Sequence, residues 1–355
     1  MKTRKKCQRA RISLNIIIIL SLIILTGCNK YKIKGENYTF TSLTGYPGGA
    51  KRKVYVVLPP GYTASDEETE YPTIYLLHGA GCSIDEIKDI AKVVKDKSEF
   101  LYNQGLIKKM LVVIPHAATD ICDGENLKYG SFYRDSDAIG HFKTMILNEL
   151  ITYIERDYNA ISRRDKRSIG GFSMGGYGAF MLAMESSIEP GWEYQFCTVS
   201  SHSGLLSLEK AIETLVELPP EIKNWGAEII ECLIKEMEAA FSNGESLELD
   251  LNTGNKNPDV WNMWLDNDPL TYLTRHEDAL RDMPVYIDCG VSDELGVKEH
   301  AELFHDKLLD LNLRHGFDVY KYDWTSEEWL KNILSGHFFL KERIPMLLLV
   351  HSLAF

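Results

Sequence analysis

The run Gly170-Gly171-Phe172-Ser173-Met174-Gly175-Gly176-Tyr177-Gly178-Ala179-Phe180 sets a serine between glycines two positions away on either side. It follows a strand-like stretch, 167–172, and opens a helix-capable one. A nucleophilic serine has to stand exposed on a tight strand-to-helix turn, where larger flanking side chains would clash. The bare pattern is common. Both flanking contexts together with the extra glycines distinguish it from a tight turn carrying an ordinary serine. The chemistry indicated is attack of the Ser173 hydroxyl on an acyl carbon.

A serine hydroxyl is a weak nucleophile until a base takes its proton. Histidine suits that task because its pKa lies near neutrality. On this kind of turn the acid and then the histidine follow the serine along the chain. The downstream histidines are His202, His276, His300, His305, His315, His337 and His351. His300 and His305 fall in a helical pattern, where a surface role is the plain expectation. His337 follows Ser335-Gly336 in a loop between the last strand and the final helix, and is the expected base, with His202 as a rival. The third member should be a carboxylate that fixes the imidazole tautomer. Asp293 stands just beyond the apolar strand through Ile287 and is the expected acid, with Asp288 and Glu294 as rivals.

A tetrahedral intermediate also needs donors for its oxyanion. The backbone N–H of Met174, in the first turn after the serine, is one. The loop His78-Gly79-Ala80-Gly81 supplies the other, and the Ala80 N–H is the expected donor. His78 precedes the serine and is expected to order that loop.

These groups need a sheet to converge on. Mostly apolar runs at 52–58, 73–77, 110–114, 167–172, 197–200, 284–289 and 318–322 alternate with helical segments. That alternation indicates a largely parallel sheet covered on both faces. Residues 139–158 place Phe142, Ile146, Leu150, Ile151 and Ile154 at helical spacing, and 297–311 carries a similar stripe. Ser207 is a serviceable N-cap for a helix over 208–218. A second helix over 221–240 and a polar stretch over 242–257 follow. The span 205–280 is far longer than an ordinary crossover and is expected to form a cap or pocket wall. The apolar end, 344–355, reads as a packed final helix.

The first 27 residues read as a leader. Lys2, Arg4, Lys5, Lys6, Arg9 and Arg11 precede a greasy run from Ile16 to Leu25, short of the about 20 apolar residues of a membrane span. Leu25-Thr26-Gly27-Cys28 resembles the bacterial lipobox, whose cysteine is lipidated and becomes the first mature residue. Cys28 is therefore the expected lipidation site. A lipid bilayer becomes a partner, and an extracytoplasmic place in a bacterial cell envelope the expected location. Residues 28–50 then serve as a tether and the start of the mature chain, and 51–355 as the catalytic domain. The chain holds 39 basic and 51 acidic residues, a formal net of −12. The leader's six basic residues take the mature charge to −18, which disfavours nucleic acid as a partner. No CxxC pair occurs among the seven cysteines, so neither a zinc site nor any cofactor is expected. A Cys82–Cys122 disulfide is conceivable on loop proximity, and Cys197 and Cys289 read as buried small hydrophobes.

The chain resembles the esterase family that includes feruloyl and acetylxylan esterases, S-formylglutathione hydrolases and mycolyltransferases. The resemblance runs from roughly 52 to 349. It rests on Val54-Tyr55-Val56-Val57-Leu58-Pro59-Pro60-Gly61-Tyr62, Tyr71-Pro72, Tyr75-Leu76-Leu77-His78-Gly79, Glu149-Leu150, Tyr153-Ile154-Glu155, Ser173-Met174-Gly175-Gly176-Tyr177-Gly178 and Gly336-His337. It implies an α/β-hydrolase fold, a mostly parallel central sheet flanked by helices, with a helical insert before the acid-bearing strand. It also implies a Ser173–Asp293–His337 triad, Ala80 and Met174 as oxyanion donors, and a serine carboxylic-ester hydrolase working through an acyl-enzyme. Acetyl or feruloyl esters of carbohydrates, or other small esters, are the implied substrates. An acyltransferase with the same triad and a non-catalytic surface binding protein are the alternatives. Two departures stand out. Phe338-Phe339 occupies the place where many relatives carry a tryptophan, and Pro115-His116-Ala117-Ala118-Thr119-Asp120 differs from their simpler loop. Trp225, Trp261 and Trp264 in the insert are candidates for either an aromatic acyl pocket or the core.

Overall fold

A computed structural model describes residues 30–66, 68–124, 127–191, 195–291, 296–321 and 337–355. Of residues 120–124, 127–129, 222, 225, 229 and 337–342, only the backbone is described.

Eight strands form one sheet. They are β1 (Lys32–Thr39), β2 (Lys51–Leu58), β3 (Thr73–Leu77), β4 (Leu111–Pro115), β5 (Arg167–Phe172), β6 (Val199–His202), β7 (Val285–Gly290) and β8 (His315–Tyr320). Their spatial order is β1-β2-β4-β3-β5-β6-β7-β8. β2 runs antiparallel to both of its neighbours, and every pair from β4 to β8 is parallel. The strands β3, β4, β5 and β6 are buried along their whole length, as a sheet covered on both faces demands, and the one charged side chain among them, Arg167 of β5, is paired with Glu155.

β1 departs from the expected tether over 28–50. Its sequence has no apolar run because it is an edge strand whose residues are all exposed or only half-buried. Tyr31, Phe40 and Leu43 anchor its two ends in the core.

The register lines up the carboxyl ends of the parallel strands. Leu77 pairs with Gly171, Phe172 with His202, His202 with Asp288, and Gly290 with Tyr320. The segments leaving β3, β5, β6, β7 and β8 therefore emerge along one edge, where ligands bind in open sheets of this kind.

Helices cover both faces. One layer holds α1 (Ile84–Asn103), begun by a capping box between Ser83 and Glu86, and the final helix α10 (His337–Ala354). The other holds α2 (Ile151–Asp157), α3 (Met174–Ile188) and α9 (Val297–Asp310). The helix expected over 139–158 is divided into Phe142–Thr144, a π segment Met145–Leu150, and α2. The insert contains α4 (Leu208–Glu217), α5 (Pro220–Trp225), α6 (Ala227–Phe241), α7 (Pro258–Leu265) and α8 (Pro269–Arg275). Ser207 caps α4 as expected, accepting the Lys210 N–H at 3.2 Å. Gly226 divides the helix expected over 221–240 into α5 and α6.

The cysteines differ from expectation at one pair. Cys82 is a free, buried thiol, so no Cys82–Cys122 bond forms. Cys232 in α6 is disulfide-bonded instead. Cys289 is buried and free, and Cys197 is free and partly buried. No helix among the described residues is long and apolar enough to cross a membrane. The leader, including Cys28, lies outside the described residues.

Candidate active site

Ser173 sits between β5 and α3 with φ 53° and ψ −124°. A non-glycine residue avoids this left-handed region unless its surroundings impose it. The surroundings here are specific. The Ser173 N–H donates to the His202 carbonyl at 3.0 Å, and the Ser173 carbonyl accepts the Tyr177 N–H at 3.1 Å. A side chain on Gly171 would collide with the Gly175 backbone, and one on Gly175 with the Leu77 carbonyl. The glycines thus let α3 begin hard against β3 and β5. Ser173 itself is exposed, although Gly171, Phe172, Met174 and Gly175 are all buried.

The loop after β3 lies on this serine. A Cβ built on Gly79 would stand 3.4 Å from Ser173 Cβ and 3.0 Å from the Phe172 ring. Ala80 follows in an exposed turn completed by Gly81 at φ 74°. Met174 is the first residue of α3, where backbone N–H groups lack intrahelical partners and gather positive potential. Its thioether fills the space beside Gly130, which no side chain could share.

His78 orders the loop, as expected. Its Nε2 accepts the Ala117 N–H at 2.9 Å, which leaves Nδ1 to donate to the Gly79 carbonyl at 2.7 Å. Burial lowers its pKa to about 4, so the ring is neutral at pH 7.

Asp293 and Glu294 lie outside the described residues, as does the side chain of His337. The backbone makes His337 the first residue of α10. The residues beyond β7 and β8 leave the same sheet edge as Ser173, with the Val291 N–H bonded to the Tyr320 carbonyl at 2.9 Å.

The rival groups are engaged elsewhere. Ser201 faces α3, beside Gly176, so Ser200 and His202 point to the opposite face of the sheet. There the fully buried His202 places Nδ1 2.9 Å from Asp288 Oδ2 and Nε2 3.1 Å from Ser200 Oγ. Asp288 is also fully buried and accepts the Arg343 guanidinium. His351 is buried against Ser200 at 2.9 Å, and His300, expected at the surface, is buried on the inner side of α9. His315 opens β8, at the sheet edge opposite Ser173, and pairs with His305 at 2.7 Å. Exposed His276 ends α8, its ring packed on Tyr272.

Trp264 is fully buried against Phe241 and Trp261, so it belongs to the core, and the side chain of Trp225 lies outside the described residues. Glu236, which the sequence reading did not single out, reaches from α6 to accept the Gly130 N–H at 3.2 Å, directly behind Met174. An acid among the apolar positions of an amphipathic helix was the available signal. Among the described residues no group of three or more His, Cys, Asp or Glu side chains could hold a metal ion.

A family profile described as "Putative esterase" matches residues 48–337. The chain belongs to this esterase family. Two curated esterases from two strains of Mycobacterium tuberculosis are each 29% identical to it over 174 residues, covering 48% of this chain and 32% of theirs. The chain thus spans about a third of the length of those relatives. Among solved structures, a ferulic acid esterase is similar with a TM-score of 0.60 at 22% identity, covering 92% of this chain and 99% of that one. An S-formylglutathione hydrolase from Agrobacterium tumefaciens is similar at 0.55 and 16%, covering 90% and 94%. A fluorophosphonate-binding serine hydrolase of Staphylococcus aureus is similar at 0.53 and 17%, covering 88% and 99%. These likenesses show the fold, a mostly parallel central sheet flanked by helices as in the α/β-hydrolase fold.

Proposed function

We propose that this member of the esterase family is a serine carboxylic-ester hydrolase with Ser173 as nucleophile. The observation that carries the reading is the exposure of Ser173 at a positive φ, on the one sheet edge where the loop after β3 touches it.

His337 accepts the Ser173 proton as Oγ attacks the ester carbonyl, and Asp293 holds the imidazole in its working tautomer. The Ala80 and Met174 N–H groups stabilise the oxyanion, which is commonly the largest single contribution to such a reaction. Collapse breaks the ester C–O bond, and His337 returns the proton to the departing alkoxide. Water, deprotonated by His337, then attacks the acyl-enzyme and releases the acid and free Ser173.

The substrates are acetyl or feruloyl esters of carbohydrates, or other small esters. Likeness to a ferulic acid esterase supports this class. The enzyme works outside the cytoplasm, held to the membrane by lipid on Cys28. The leader sequence and the disulfide at Cys232, which suits an oxidising compartment, support that location.

The test is hydrolysis of a panel of acetyl, feruloyl, thioester and peptide substrates, together with labelling by a fluorophosphonate. The expected results are ester turnover, labelling at Ser173 and loss of both in Ser173→Ala. Normal turnover by Ser173→Ala would overturn the reading.

A further inference from the structure

Arg343 lies outside the motifs that carry the resemblance and outside the proposed triad. It lies on α10, six residues after His337. Its Nε donates to Asp288 Oδ2 at 2.9 Å, and its Nη2 donates to the same oxygen, to the Tyr286 hydroxyl at 3.0 Å and to Asp318 Oδ2 at 2.9 Å. The guanidinium stands over the Tyr320 ring, 4.2 Å from its centroid. The Tyr320 hydroxyl in turn meets Ser203 Oγ at 3.2 Å, just beyond the end of β6.

One side chain therefore joins α10 to the ends of β7 and β8. Asp288 is five residues before Asp293, and Tyr320 is the last residue of β8, from which the chain runs on towards His337. A second tie on the same helix runs from His351 through Ser200 and His202 back to Asp288. The fork of the guanidinium fixes direction as well as distance, which a point charge would not.

We propose that Arg343 is a positioning residue that holds the start of α10, and with it His337, in register with the strand end that carries Asp293. This rests on the proposed triad. Arg343 touches no reacting atom and acts through the placement of His337. Misplacement of a catalytic group by about 1 Å can cost roughly 100-fold in rate, so a small tilt of α10 is enough to matter.

The test compares Arg343→Met, Arg343→Lys and Asp318→Asn with the wild-type chain. Active sites are titrated to completion with a fluorophosphonate, so that kcat is counted per folded site. Asp318→Asn serves as the mild variant because the Asp318 side chain is 46% exposed and its loss leaves Asp288 paired. The expected result is a kcat per titrated site lowered roughly 10- to 100-fold in Arg343→Met, with KM little changed. The acid limb of the pH–rate profile should move to lower pH as the imidazolium loses its aligned carboxylate. Arg343→Lys should recover part of the rate, and Asp318→Asn should show a smaller loss with an unchanged melting temperature.

Wild-type kcat per titrated site and an unmoved pH profile in both Arg343→Met and Asp318→Asn would overturn the proposal. So would an Arg343→Met protein whose activity falls only in proportion to the folded fraction. His337→Ala is the control on the underlying reading. Full activity there would sink the triad itself, whereas an inactive His337→Ala beside normal Arg343 variants would sink only the positioning role.

Discussion

The imidazole of His78 accepts the backbone N–H of Ala117 at 2.9 Å, joining the loop after β3 to the chain just beyond β4. The carbonyl of His78 is held in turn by the Tyr133 hydroxyl at 2.9 Å. The loop that carries Ala80 is thus fixed from two sides before any substrate arrives. Removing the ring in His78→Ala should lower kcat roughly 10- to 100-fold, because the proposed oxyanion donor Ala80 would lose its fixed aim. Tyr133→Phe should produce a smaller loss. Steady-state kcat and KM on an aryl acetate check both, and an unchanged kcat in His78→Ala would refute the ordering role.

Glu185 of α3 is buried, and Arg134 grips it with two bonds of 2.8 and 2.6 Å while Lys143 stands 3.4 Å away. Burial would raise the carboxyl pKa, but the two cations outweigh it and hold it below the usual value. A depressed carboxyl contributes stability above its unfolded pKa and loses it as pH falls through the folded one. Glu185→Ala should therefore destabilise the fold by about 3–5 kcal/mol at pH 7 by stranding Arg134. Pairing it with Arg134→Met should recover part of that loss. Urea unfolding of the wild type and these two variants measures the difference.

Glu236 behaves in the opposite sense. Burial pushes its pKa up to about 9, against the single hydrogen bond from Gly130. A raised pKa gives stability that is complete below the unfolded value and is lost as pH rises through the folded one. Wild-type protein should thus weaken progressively between about pH 4.5 and about 9. Glu236→Gln should flatten that decline and be the more stable protein at pH 8. A steeper decline in Glu236→Gln, read by denaturant unfolding across this range, would contradict the assignment.

His300 is fully buried on α9, and neither ring nitrogen has a hydrogen-bond partner among the described residues. Burial, with Lys210 nearby, lowers its pKa to about 4. The neutral ring is the one that fits, so stability is present above about pH 6.5 and is lost as pH falls through about 4. His78 and His351 shift in the same direction, to about 4 and about 3. His300→Leu should keep the fold and move the acid-unfolding midpoint, followed by circular dichroism, to lower pH. An unmoved midpoint would remove His300 from the account of acid lability.

The candidate nucleophile was legible in the sequence because its requirements are local. The strand, the glycines and the helix around Ser173 all lie within 167–188. The apolar runs gave β3 and β4 to within a residue for the same reason, since burial on both faces removes polar alternation. β1 was not legible, because an edge strand needs only one apolar face and takes its partner from β2.

The choice among seven histidines was legible only in part. Chain order favoured His337, but nothing local showed that His202 turns away to Asp288, 86 residues on, or that His315 opens the opposite edge of the sheet. The contacts of Arg343 with Asp288 and Asp318, 55 and 25 residues away, are of the same kind. The sequence by itself determined which short segments could turn, extend or coil, because those preferences act between neighbours. Only the tertiary structure decided which side chains meet, because the parallel register brings together groups that the chain keeps far apart.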